Sequence, residues 1–102
     1  MQKYDIIVLE TADRDLDDII VYLSNFSPNI AQRYYDEITI KMTSLTSMPN
    51  RYPLVRDELL SKKGIRWVFA KNYVIFFTVD ESESIVYIER ILYSRMAYDV
   101  LL

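Results

Sequence analysis

"GIRWVFAKNYVIFFTV", residues 64–79, decides the fold. After Gly64, the only glycine in the chain, Ile65, Trp67 and Phe69 alternate with Arg66, Val68 and Ala70. A period of two is the signature of a strand whose faces differ. Lys71 and Asn72 make a two-residue connection in which Asn72 is the residue suited to a positive φ, and "YVIFFTV" (73–79) returns as a second strand. The acidic stretch "DESES" (80–84) turns the chain again, and "IVYIERIL" (85–92) reads as the third strand of an antiparallel meander.

The residues before this meander follow a different period. "YDIIVLE" (4–10) is a short β-branched run that reads as a strand ending at Thr11. Thr11 stands where an N-cap is expected, with Asp13 and Asp15 in the first turns, where the helix dipole favours negative charge. Ala12, Leu16, Ile19, Ile20 and Leu23 then recur at helical spacing, which predicts a helix from 12 to about 24. Ser27 followed by Pro28 is an N-cap with proline at the first helical position. From there Ala31, Tyr34, Tyr35, Ile38, Met42 and Leu45 define a second helix that stops before Pro49. Two helices joined by so few residues form a helical hairpin.

"MPNRYP" (48–53) is a turn cluster, and "LVRDELLSKK" (54–63) is a polar connection that fits either a loop or one short helical turn. In the tail "MAYDVLL" (96–102), Met96, Val100, Leu101 and Leu102 are suited to dock a last turn against the sheet edge. The expected class is therefore α+β. An N-terminal strand and a helical hairpin precede a three-stranded antiparallel meander, giving a small twisted sheet with helices on one face and a single domain over 1–102.

Composition narrows the chemistry. The 102 residues suffice for a core without metals or disulfides. There is no cysteine, which removes thiolate sites and is compatible with a reducing cytoplasm, and no histidine, which removes imidazole bases and the usual zinc ligands. No cofactor or metal is expected. The opening "MQKYDIIVLE" is interrupted by Asp5 and closed by Glu10, so it is read as neither a signal peptide nor a membrane span, and the expected location is cytoplasmic. The net charge of −3 excludes a uniform nucleic-acid coat, although residues 51–71 hold six basic side chains against Asp57 and Glu58.

The order of elements, the phrase "GIRWVFAKNYVIFFTV" and the closing "ERILYSR" (89–95) together resemble the RelE/ParE superfamily of toxins from bacterial type II toxin–antitoxin modules. The resemblance covers nearly the whole chain. It implies a small cytoplasmic growth inhibitor, neutralised by a cognate antitoxin and able to form a homodimer or a toxin–antitoxin hetero-oligomer. RelE-like members cleave messenger RNA on the ribosome, and ParE-like members inhibit DNA gyrase. A third reading is an inactive or regulatory member.

Four positions carry the choice between these mechanisms. Arg66 alternates with Ile65 and Trp67 and so faces away from the aromatic side; it fits an ion pair with Glu58 or Glu89, or a contact to target or antitoxin. Arg90 lies between apolar neighbours, where an unpaired charge is costly, so a structural ion pair is expected. Tyr93 fits packing, and the resemblance also implies stacking on a base there, with Arg95 following as a phosphate neutraliser. A nuclease reading would make Arg66, Arg90 and Tyr93 catalytic. A binding reading assigns Arg66, Arg95, Trp67 and Phe69 to target or antitoxin contact.

The departures favour binding. RelE-like nucleases typically carry an arginine where this chain has Val74, and they present basic residues across strands that here hold Trp67, Val68, Phe69, Ala70, Ile75 and Phe76. RNA cleavage needs proton transfer and cationic stabilisation of the transition state. The expectation is thus a ParE-like toxin that needs no catalytic set. Tyr22, Phe26, Tyr34, Tyr35 and Ile40 exceed what one face of the hairpin can bury, so a partner surface is expected on the helices or the sheet.

Overall fold

The computed structural model describes residues 2–101, the last four of them as backbone only. β1 (Asp5–Val8) leads into α1 (Glu10–Ser24) and α2 (Pro28–Ser44), a 3₁₀ turn (Pro49–Arg51) and the short α3 (Glu58–Lys62). β2 (Arg66–Ala70), β3 (Tyr73–Asp80) and β4 (Ile85–Tyr93) follow, and α4 (Ser94–Leu101) closes the described chain. The strands lie in the order β1-β4-β3-β2. β1 runs parallel to β4, with Asp5 opposite Ile85 and Val8 opposite Ile88, and the other pairs are antiparallel. The class is α+β, as the periodicities indicate.

α1 and α2 cover one face of this sheet. Leu16, Ile38, Met42 and Leu45 from the helices bury against Val68, Ile75, Phe77, Val86, Ile88 and Ile91. The opposite face carries a smaller core in which Val55, Val74, Phe76 and Ala97 are buried, with Trp67, Ile65, Leu60 and Leu92 packed against them. α3 and α4 thus give the second face partial cover. Deep burial of apolar side chains on both faces explains why β3 reads as a continuous apolar run.

Several local expectations need correction. α1 begins at Glu10 with Leu9 as its cap, and Leu9 supplies no side-chain acceptor. Thr11 lies inside the first turn and donates its hydroxyl to the Glu89 carbonyl at 2.9 Å. A bond to the neighbouring strand outcompetes the local capping role, and β1 ends at Val8 because α1 starts two residues later, at Glu10. The left-handed residue of the β2–β3 turn is Lys71 (φ 54°), one position before Asn72. Ser27 does cap α2, accepting the backbone N–H of Ile30 at 3.3 Å.

The connection 54–63 forms a helical turn because both its ends are capped. Asp57 accepts the N–H of Leu60 at 2.9 Å. At the other end Gly64, at φ 80°, donates to the Ser61 carbonyl, and Ile65 donates to that of Leu60. These two bonds make the six-to-one and five-to-two pattern that closes a helix on a left-handed glycine. The chain then enters β2 directly. At the far end, Ala97 is the α4 residue buried on the sheet, while Met96 is exposed, so the docking expected of Met96 passes to its neighbour. The side chains of Val100 and Leu101, and Leu102 altogether, lie outside what is described.

Candidate functional site

The open edge of β4 is where the site forms. β1 pairs with β4 as far as Ile88, and Leu9 donates to the Ile88 carbonyl as the chain turns into α1. Beyond that point α1 takes over the edge. Phe77 pairs with Ile88 and Phe76 with Arg90, which leaves Glu89 as an extra residue in β4. This bulge puts Arg90 on the face of Phe76, and its long side chain reaches α1 round the open edge of the strand. Its Nε and Nη2 donate to the two carboxylate oxygens of Asp15, at 2.7 and 3.1 Å. The backbone N–H of Ile91 donates to Asp15 at 3.0 Å. Asp15 thereby caps the strand edge and binds Arg90 at once, and its hydrogen bonds raise the already high guanidinium pKa.

Beside this pair lies a cleft of about 700 Å³ between α1, the end of β4 and the β2–β3 turn. Four tyrosines wall it: Tyr22, Tyr34, Tyr73 and Tyr93. The Tyr73 ring stands edge-on to Tyr34 at 5.8 Å and to Tyr93 at 5.7 Å. Burial, followed by repulsion from the neighbouring tyrosines, pushes the Tyr73 phenol up from its ordinary value, so it stays neutral at physiological pH. Its charged lining is Asp15, Asp18 and Arg90, an excess of one negative charge. The Asp18 carboxylate has no hydrogen bond or ion pair among the described residues.

Arg90 and Tyr93 therefore meet at one cleft, although their register partners Phe76 and Tyr73 belong to opposite faces of the sheet. The bulge precedes Arg90, so it does not reverse the alternation between the two; both reach the cleft because it opens at the strand end. Arg66 is elsewhere. It starts β2 on the far side of the sheet and donates to the carbonyls of Tyr52 at 2.7 Å and Asn50 at 3.4 Å. Neither carboxylate expected for it is its partner: Glu58 pairs with Lys62, and Glu89 accepts from Thr78. Backbone carbonyls of the preceding turn are nearer than any acid, and Arg66 fixes that turn.

Trp67 and Phe69 sit together on the second face, with ring centroids 5.5 Å apart, and Phe69 is exposed. Val74, where the nuclease pattern would place an arginine, has no exposed surface. Arg95 is exposed on α4, outside the cleft lining. Of the surplus apolar residues on the hairpin, Tyr22, Phe26, Tyr35 and Ile40 are exposed, and Tyr34 is half-buried against Tyr73. Sequence reasoning did not single out Asp15 or Asp18 for a site, because α1 is acidic along its length and spacing alone does not pick out the acid that reaches a strand edge.

The chain belongs to the ParE toxin family of type II toxin–antitoxin systems: the family model described as "ParE toxin of type II toxin-antitoxin system, parDE" matches residues 6–98. The fold is similar to a chain of the chromosomal ParDE system from P. aeruginosa, with 20% identity over 89% of this chain and 96% of that one and a TM-score of 0.71. It is also similar to a chain of the RelBE2 toxin–antitoxin complex from Mycobacterium tuberculosis, with 21% identity, 89% and 98% coverage and a TM-score of 0.63. Among curated proteins, none matches the sequence significantly. No helix among the described residues is long and apolar enough to cross a membrane.

Proposed function

We propose that this protein inhibits growth by binding a protein target such as DNA gyrase, and that a cognate antitoxin neutralises it. The observation that carries this reading is the charge of the cleft where Arg90 and Tyr93 meet. Asp15 consumes the charge of Arg90, and Asp18 adds a second carboxylate, so a phosphodiester entering there meets net repulsion. Tyr73, neutral and buried, is no base at physiological pH. The apolar second core occupies the strand positions where cations would be needed. Both solved relatives come from antitoxin-containing systems, which supports an antitoxin partner here.

In this reading Arg66 orders the turn before β2, and Trp67, Phe69 and Arg95 offer the contact surface for target or antitoxin. A cytoplasmic location goes with the target. The test is to express the chain without its neighbouring gene and compare gyrase supercoiling in vitro with message ends mapped by primer extension. Growth arrest with inhibited supercoiling and intact messages is the expected result. Codon-phased cleavage that Tyr93→Phe abolishes would establish the ribosome-dependent endonuclease instead, and unchanged growth at high soluble expression would leave an inactive or regulatory member.

A further inference from the structure

We infer that the tyrosine-walled cleft beside Asp15 and Arg90 is a receptor for a cationic side chain, an arginine or lysine presented by an apolar segment of a partner polypeptide. The inference rests on the proposed function only in taking that partner to be the antitoxin. Four aromatic rings and an unpaired carboxylate converge on one concavity, whose volume is within the usual range for ligand sites. Aromatic faces attract cations, and most strongly where water is partly excluded. Asp18 supplies the countercharge at the rim. Arg90, itself a cation, does not take the place of the incoming one, because its donors are turned to Asp15.

A second observation points the same way. One ring of this wall already takes a cation of the chain itself: Lys71 Nζ, from a residue outside the cleft lining, lies 5.6 Å from the centre of the Tyr34 ring. The left-handed conformation of Lys71 fixes where that side chain starts. Asn72, the next residue, lines the cleft and donates its Nδ2–H to the Tyr34 phenol oxygen at 3.3 Å. Lys71 is exposed and lies outside the cleft lining, so it leaves the cleft itself open to an incoming guanidinium with an apolar flank. Ile19, Leu23 and Leu92 supply the apolar floor for that flank.

The experiment compares two synthetic pentapeptides, acetyl-Ala-Leu-Arg-Leu-Ala-amide and its twin with neutral citrulline for arginine. Binding to the full chain is followed by amide NMR shifts and a fitted Kd. The arginine peptide should bind about 5- to 30-fold tighter than its twin, the range of a cation on aromatic faces from exposed to partly desolvated. Shifts should centre on Asn72, Ile91 and Tyr93. Asp18→Asn should reduce the advantage about two- to fivefold, as for an exposed ion pair.

Equal affinity of the two peptides would overturn the inference, as would shifts confined to Val21 and Phe26 or to Trp67 and Phe69. Self-association in sedimentation that blocks the cleft would overturn it too, by making a second copy the occupant. Thermal unfolding of the variant excludes misfolding as the cause of lost binding. Growth inhibition is scored separately: discrimination of the peptides without growth arrest refutes the toxin reading alone, and growth arrest without discrimination refutes the receptor alone.

Discussion

Asp15 and Arg90, 75 positions apart, are joined by two hydrogen bonds, and the Asp15 oxygen that takes Arg90 Nε also takes the backbone N–H of Ile91. One carboxylate on α1 thus replaces the neighbouring strand that β4 lacks beyond Ile88. Arg90 is half exposed and Asp15 mostly covered, so the ion pair itself contributes little and the satisfied N–H contributes more.

Asp15→Ala should therefore destabilise the protein by about 1 to 3 kcal/mol, the cost of leaving a covered donor unpaired. Arg90→Ala should cost less, because Asp15 keeps its bond to Ile91. Urea unfolding of the two variants checks the order, and the reverse order would show that the charge pair matters more than the strand edge.

Val74 is fully enclosed in the second core beside Phe76 and Ala97. Val74→Arg, which would restore the side chain typical of the nucleases, should cost more than about 3 kcal/mol by burying an unpaired charge. Differential scanning calorimetry should show a large fall in Tm, and primer extension should show no gain of message cleavage.

Gly64→Ala isolates backbone conformation from packing. A Cβ there meets nothing within 4 Å, so only the φ of 80° opposes it. The expected loss is about 1 kcal/mol, read as a shift in denaturation midpoint with unchanged slope. A loss several times larger would mean that the cap organises β2 as well as α3.

The Tyr4 hydroxyl donates to Glu81 at 2.6 Å, and Asn50 donates to the same carboxylate. Hydrogen bonding, first from Tyr4 and then from Asn50, holds Glu81 below its ordinary 4.5, and the same bond to Glu81 pushes Tyr4 above its ordinary 10.0. A lowered acid stabilises fully above its ordinary value and loses that contribution as pH falls through the lowered one. The raised phenol stabilises fully below 10.0 and loses its contribution as pH rises through the raised value. Stability measured against pH should fall on both sides of this window, and Glu81→Gln should flatten the acid limb.

The element order was legible because period and punctuation agreed: alternation in 65–70, proline after Ser27, and apolar residues three and four apart in both helices. What the sequence withheld were contacts between distant segments. Thr11 looks like a cap until Glu89 is brought beside it, and Arg66 looks destined for an acid until the Tyr52 carbonyl is seen to be closer. The cleft was half legible. Tyr22 and Tyr34 stood out as surplus aromatics, but Asp15 and Asp18 are two acids among several on α1, and nothing local distinguishes them.

The parallel pairing of β1 with β4 bears on synthesis. The bonds tying the N-terminal segment to the last strand and the turn before it, Tyr4 to Glu81, Thr11 to Glu89 and Arg90 to Asp15, span 75 to 78 positions. At a ribosomal rate of about 5 to 20 residues per second, β1 and α1 wait roughly 4 to 15 s for their partners to be translated. The β2–β3 hairpin, closed by Lys71 and Asn72, needs no such wait. Nascent chains therefore carry an unpaired β1, and an α1 packed on α2 alone, until β4 emerges from the exit tunnel, and the cleft between α1 and β4 is among the last features of the molecule to exist.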